Sequence, residues 1–223
     1  MKPLTLEMFK VFIDTVPKEI SIMFSGFSEP FQNQECTDMV LYAYKKGHRI
    51  QIFSTLVGLS PNDAMRLVTI PIDYFQLHLP DACGKAKIPI TTTYKETLRI
   101  ILSGVKNISF MNMGGEFRSS KVEEIGRDKI RKRTGRVGCP GLFRPDFSML
   151  PNGDVYVCCV TRGLGGKVGS LAIDSFQEIM RDFPWQSLSL QKNNESICHK
   201  CVFAQPYWYY LLAELKRVYY NHS

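Results

Sequence analysis

Apolar and polar positions along the first half of the chain follow two periods in turn. Leu6, Phe9, Phe12, Ile13 and Val16 recur at helical spacing, so a helix is predicted from about Leu6 to Thr15, with Thr5 able to cap it and Pro17 ending it. Ile20 to Ser25 is a short apolar run that predicts a buried strand, and Gly26 to Pro30 turns out of it. A second helix is predicted over about Asn33 to Lys46, with Cys36, Met39, Val40 and Ala43 facing inward and Gly47 suited to its C-terminal cap. Arg49 to Ser54 reads as the next strand. Ser60-Pro61 starts a helix with proline at the first helical position. Tyr74 to Leu79 is a third strand, a helix runs from Thr93 to about Leu102, and Asn107 to Asn112 is a fourth strand.

Strict alternation of helix and strand implies an α/β fold with a parallel sheet and right-handed crossovers. Four such strands are too few to close an eight-stranded barrel, so the expected form is an open, curved sheet or partial (βα) barrel. Ligands of such sheets bind beyond the C-terminal ends of the strands. Here those ends are Ser25 to Pro30, Ser54 to Thr55, His78 to Pro80 and Asn112 to Gly115.

After Gly114-Gly115 the pattern changes. A basic stretch, Arg127 to Arg136, leads to Cys139. A hairpin follows, with arms at Asp146 to Leu150 and Val155 to Cys158 around a Pro-Asn-Gly-Asp turn; Asn152 and Gly153 both tolerate positive φ. Gly163 to Gly169 is read as a flexible approach. Ser175-Phe-Gln-Glu178 is a capping box opening a short helix. From Pro206 to Tyr220 the chain predicts a helix rich in aromatic residues that serve packing. The expected organisation is a partial barrel over residues 1–120, a basic connector over 121–137, and a small cysteine-rich α+β domain over 138–223.

Composition narrows the function classes. The chain has 223 residues, enough for one large domain or a main domain with an appendage. No apolar run is long enough to span a bilayer and no secretory signal opens the chain, so a cytoplasmic location without membrane partners is expected. The net charge is +7, with much of the excess in Arg127 to Arg136. No aromatic residue interleaves with those charges, so they read as a solvated connector rather than a nucleic-acid surface.

The cysteines change the picture most. Cys139 stands alone, Cys158-Cys159 end the hairpin, and Cys198-His-Lys-Cys201 forms a clip. A lone thiol, a hairpin thiol and a Cys-x2-Cys clip can bring four sulfurs to one point, the inner shell of a zinc site or an iron–sulfur cluster. Seven clustered cysteines without an export signal favour metal over disulfides. Cys36, on a helix, and Cys83, in a loop, read as ordinary residues, and His199 inside the clip is expected to point outward. Neighbours on a strand face opposite ways, so only one of Cys158 and Cys159 is expected to serve.

These residues resemble a known family. Phe24-Ser-Gly-Phe-Ser-Glu-Pro30 after a buried strand looks like the Gly-Gly-Glu-Pro motif of radical S-adenosylmethionine enzymes, whose backbone meets the amino group of the cofactor's methionine part. The second half resembles the SPASM or shorter twitch domain, through Cys139, the Pro-Asn-Gly-Asp hairpin, Cys158-Cys159, Val168-Gly-Ser-Leu171, Ser-Phe-Gln-Glu-Ile and Cys198-x2-Cys201. The resemblance implies S-adenosylmethionine contacts at Ser25, Gly26, Phe27, Ser28, Glu29, Pro30, Ser54, Thr55 and His78. It also implies an auxiliary [4Fe–4S] cluster on Cys139, Cys158, Cys198 and Cys201, Cys158 being the better match of the pair. A zinc ribbon would usually show two Cys-x2-Cys clips, and only one is present.

One departure matters. The family's Cys-x3-Cys-x2-Cys, which carries the cluster that reduces S-adenosylmethionine, is not in these residues. The expectation is therefore a truncated or altered relative that does not generate the 5′-deoxyadenosyl radical alone, its parent reaction being hydrogen abstraction from an unidentified peptide or small molecule. No catalytic residue is assigned. The rival reading is a non-enzymatic four-cysteine module, binding zinc or an iron–sulfur cluster, that recognises a protein. An unprotected apolar edge at Ile20 to Phe24 is expected to favour self-association.

Overall fold

The computed structural model describes residues 2–26, 28–80, 88–112, 134–135, 137–138, 147–159, 166–183, 199, 205–209 and 211–212. The chain divides into two compact units, one of residues 1–117 with Ser175–Gln177, the other of residues 118–174 with 178–223.

The first unit runs α1 (Leu6–Ile13), β1 (Ile22–Phe24), a 3-10 turn (Pro30–Gln32), α2 (Cys36–Lys45), β2 (Ile50–Ser54), α3 (Pro61–Leu67), β3 (Tyr74–Leu79), α4 (Thr92–Gly104) and β4 (Ile108–Asn112). Its strands form one parallel sheet in the order β1-β2-β3-β4. This is the α/β arrangement that the alternating pattern predicts. The helix starts follow local chemistry: the hydroxyls of Thr5, Ser60 and Thr91 accept hydrogen bonds from the backbone N–H groups of Met8, Asp63 and Tyr94. Thr91 as cap starts α4 one residue before Thr93. Gly47, just past α2, has φ +95°, as its predicted cap requires.

Pleating gives the sheet two different faces. Ile50, Ile52 and Ser54 of β2 and Phe75 and Leu77 of β3 lie at 0–1% exposure, and the apolar ones share a core with Phe31 and with Val40, Leu67 and Ile101 of the helices. Burying each such side chain stabilises the unit by about 1.5–3 kcal/mol. Phe9 of α1 meets Phe24 of β1 with ring centroids 5.8 Å apart. One expectation needs correction. Ile20 to Ser25 is not a buried strand throughout: Ile20 is 41% and Met23 47% exposed. Among the described residues β1 pairs with β2 alone and stands at the sheet's edge, so only its helix-facing side chains are covered.

The second unit contains β5 (Val137–Gly138), β6 (Ser148–Met149), β7 (Asp154–Tyr156), β8 (Lys167–Ser170) and β9 (Gln205–Pro206); α5 (Phe176–Asp182) follows β8. The hairpin forms as β6 and β7. Gly153 N–H donates to Leu150 O at 2.9 Å, and Leu150 N–H to Asp154 O at 2.9 Å. Only Gly153, at φ +87°, takes the left-handed conformation; Asn152 does not, because a three-residue loop needs one such position where a two-residue turn needs two. Lys167 to Gly169 is not a flexible approach either. It lies in β8, the third strand of this sheet, which pairs antiparallel with β7. Gly169 lets α5 sit down on it: a Cβ there would stand 2.7 Å from Ile179 Cγ1. Residues 207–209 and 211–212 are helical, and the rest of the predicted C-terminal helix lies outside the described residues.

Candidate functional site

The C-terminal ends of β1 and β2 are joined through one carboxylate. Glu29 caps the 3-10 turn, and its Oε1 accepts from the Ser54 hydroxyl at 2.6 Å and Phe31 N–H at 3.4 Å. Its Oε2 accepts from Thr55 N–H at 2.7 Å and the Thr55 hydroxyl at 2.6 Å. Those hydroxyls accept in turn, Ser54 from Leu56 N–H at 2.8 Å and Thr55 from Val57 N–H at 3.3 Å. A side chain three residues beyond the Gly26 turn therefore shapes the turn after the neighbouring strand. Of the candidate cofactor contacts, Glu29, Ser54 and Thr55 spend their side-chain oxygens on each other. Ser25, Gly26 and Ser28 are exposed, while Pro30 is half-buried at the start of the 3-10 turn. Gly26 has φ +151°, a conformation that side chains rarely adopt, and a Cβ there would stand 4.0 Å from Ser28 O. Phe27 lies outside the described residues.

The sheet face away from the helices carries His78 and, around it, residues that the sequence alone does not single out. On it Phe53 stands 5.7 Å from Tyr74 and 6.5 Å, edge to face, from His78. The Tyr74 hydroxyl donates to Gln76 Oε1 at 3.0 Å and lies 2.7 Å from the Ser109 hydroxyl. None of the strands β1 to β4 holds an Asp, Glu, Lys or Arg. The period-two alternation of Gln51, Phe53 and of Tyr74, Gln76, His78 was the available signal. Burial holds the His78 imidazole below its ordinary value, with the Glu29 charge opposing, so His78 is a neutral donor and acceptor. Burial, then the Glu29 charge, pushes the Cys36 thiol up to about 12. That makes Cys36 an inert core thiol, as its helical position implied.

Three of the four candidate cluster ligands, Cys139, Cys198 and Cys201, lie outside the described residues, as does Cys83. Cys158 is half-buried and Cys159 exposed. The strand argument for choosing between them does not apply, because β7 ends at Tyr156 and both thiols follow it. Among the described residues, no three metal-ligating side chains converge. The elements flanking these cysteines do meet. β5 pairs antiparallel with β9, Gly138 opposite Gln205, and Gly138 directly precedes Cys139 in the chain. His199 does not point outward as expected. It is fully buried, and its Nε2 lies 2.7 Å from Gly135 O. A backbone acceptor at that distance holds the ring inward.

Comparison with known proteins bears on both units. Residues 139–202 match the SPASM iron–sulfur cluster-binding domain. No protein of curated function matches the chain in sequence. BtrN in complex with AdoMet and 2-DOIA superposes with a TM-score of 0.59 at 14% identity, covering 92% of this chain and 81% of the other. BtrN in an open conformation gives 0.58 at 11% identity, covering 92% and 85%. anSMEcpe with bound AdoMet and Kp18Cys peptide gives 0.50 at 12%, covering 89% and 78%. At these identities the likeness shows a shared fold. The SPASM part of the resemblance read from the sequence is met by the match over 139–202, and the α/β fold that it implies by the fold of the chain. No described helix is long and apolar enough to cross a membrane.

Proposed function

We propose that this chain is an iron–sulfur protein of the radical S-adenosylmethionine/SPASM type, with an auxiliary [4Fe–4S] cluster held by Cys139, Cys158, Cys198 and Cys201. The observation that carries this reading is the cluster-binding match over 139–202, which spans all four thiols. The meeting of β5 with β9 supports it, since these strands flank Cys139 and Cys201. When bound, such a cluster supplies one-electron transfer at a potential set by its surroundings. A thiolate-held cluster suits a reducing compartment, hence the cytoplasm.

This chain's own residues bind and position. Ser25, Gly26 and Ser28 offer exposed backbone and hydroxyl groups to S-adenosylmethionine at the end of β1. Glu29 fixes that turn through Ser54 and Thr55. His78, neutral at the end of β3, and the Phe53–Gln76 face receive an uncharged part of a peptide or small-molecule substrate. The chain holds no Cys-x3-Cys-x2-Cys. In this reading none of these thiols cleaves S-adenosylmethionine.

Anaerobic reconstitution tests the reading. The protein should turn brown, take up about four irons and show a broad absorption near ~400 nm, as thiolate-bound cubanes do. Cys158→Ala should lose the cluster and Cys159→Ala keep it. Stoichiometric zinc with no iron uptake would refute the reading and favour the four-cysteine interaction module.

A further inference from the structure

His199 lies inside the Cys198-x2-Cys201 clip, yet its ring is fully buried and turned to Gly135, four residues before Cys139. Gly135 O can only accept, so Nε2 carries the ring hydrogen and donates it. Nδ1 is left with a buried lone pair and has no hydrogen-bond partner among the described residues. An apolar side chain would fill the same volume without stranding a polar atom, so the one bond to Gly135 is what the imidazole adds. That bond does not act alone. Two residues beyond Gly135, Val137 pairs with Pro206, and Gly138 pairs with Gln205.

Residues 135–138 precede the cluster-binding match, and residues 205–206 follow it. The bond and the ladder therefore tie the two ends of the matched segment together. Cys139 sits at one end of that segment and the clip at the other. A metal that takes ligands from both ends must otherwise bear the loop-closure entropy of the whole segment when it binds.

We propose that His199 is a positioning residue that closes the cluster-binding segment. Its Nε2–H, donated to Gly135 O, holds the clip against the strand leading into Cys139, so the ligand ends are gathered before metal arrives. The inference rests on the iron–sulfur reading for the identity of the metal, while the closure itself does not depend on which metal binds.

The experiment compares metal release to a chelator from the wild type, His199→Leu and His199→Gln after anaerobic reconstitution. Gln can donate its amide N–H to the same carbonyl, whereas Leu fills space and leaves the carbonyl unpaired. Release from His199→Leu should be roughly tenfold faster, the scale of one lost buried hydrogen bond, and His199→Gln should stay within about threefold of the wild type. Wild-type release rates in His199→Leu, or a folded His199→Gln that behaves like His199→Leu, overturns the proposal. Should His199→Leu not fold, histidine-labelled wild-type protein decides by NMR: the Nε2–H tautomer at His199 supports the clasp, and the Nδ1–H tautomer overturns it. Zinc in place of iron refutes the iron–sulfur reading and leaves the clasp to be judged by the same release rates. A protein that binds no metal overturns both.

Discussion

Replacing Glu29 by alanine should loosen the first unit while leaving the second as it was. The carboxylate accepts three bonds of 2.6–2.7 Å from Ser54 and Thr55, and a longer one from Phe31. Hydrogen bonds to a charged group are worth about 1.5–3 kcal/mol each, but Glu29 is half-buried and the freed hydroxyls can turn to other partners, so the expected total is about 3 kcal/mol. With a urea dependence of about 1.5 kcal/mol per molar, the midpoint falls by roughly 2 M. Both tryptophans, Trp185 and Trp208, lie in the second unit, so far-UV circular dichroism should register the shift while tryptophan fluorescence does not. Thr55→Val removes one of the three short bonds. Combining it with Glu29→Ala should cost less than the sum of the two, by about 1 kcal/mol of coupling. A Glu29→Ala midpoint within about 0.3 M of wild type, or strict additivity with Thr55→Val, would refute the idea that this carboxylate joins the two strand ends.

Three further outcomes are expected. Met23→Lys should raise solubility and reduce self-association in sedimentation at micromolar concentration, because Met23 is the exposed side chain of the β1 edge; Ile22→Lys should instead destabilise, since Ile22 packs on the core. Cys36 should resist alkylation in the native protein at pH 8 and react on unfolding, its thiol being buried and pushed up to about 12; rapid native labelling would contradict its placement. His78 should titrate below 6.5 by NMR. The unfolded chain binds that proton more readily, so the stability His78 contributes is present above the unfolded value and lost as pH falls toward the folded one; a midpoint above 6.5 would reverse the sign.

What the sequence disclosed followed from local chemistry. Ser60-Pro61, Thr5 and Gly47 act through groups one to four residues away, so they could be read without knowing the fold. The apolar positions of α2 and β2 were legible because period and burial coincide there. Glu29 was not. Its partners are Ser54 and Thr55, and nothing in the spacing of a glutamate and two hydroxyl residues announces a bond across a crossover. Met23 misled for a related reason: an apolar residue in an apolar run looks buried until pairing makes β1 the edge. A place inside a short clip suggests that His199 points outward, and a single long-range acceptor, Gly135 O, turns it in. The sequence places the Asn152-Gly153 turn but not its geometry, because loop length rather than residue identity decides how many residues take positive φ.

The internal use of Glu29 limits what the strand ends can say to a ligand. A glutamate beside an exposed turn would ordinarily be the natural partner of a cationic group. Here both carboxylate oxygens already hold two donors each. A further cation would have to share those oxygens with Ser54 and Thr55 or displace them, and displacement would undo the turns after β1 and β2. The strands add no charge of their own, and His78 is held neutral by burial. Among the described residues, then, what this end of the sheet offers a ligand is backbone groups, hydroxyls, an amide and aromatic faces. Such a surface pays little desolvation cost when a neutral group docks. Any formal charge on the ligand must be met by something other than these side chains.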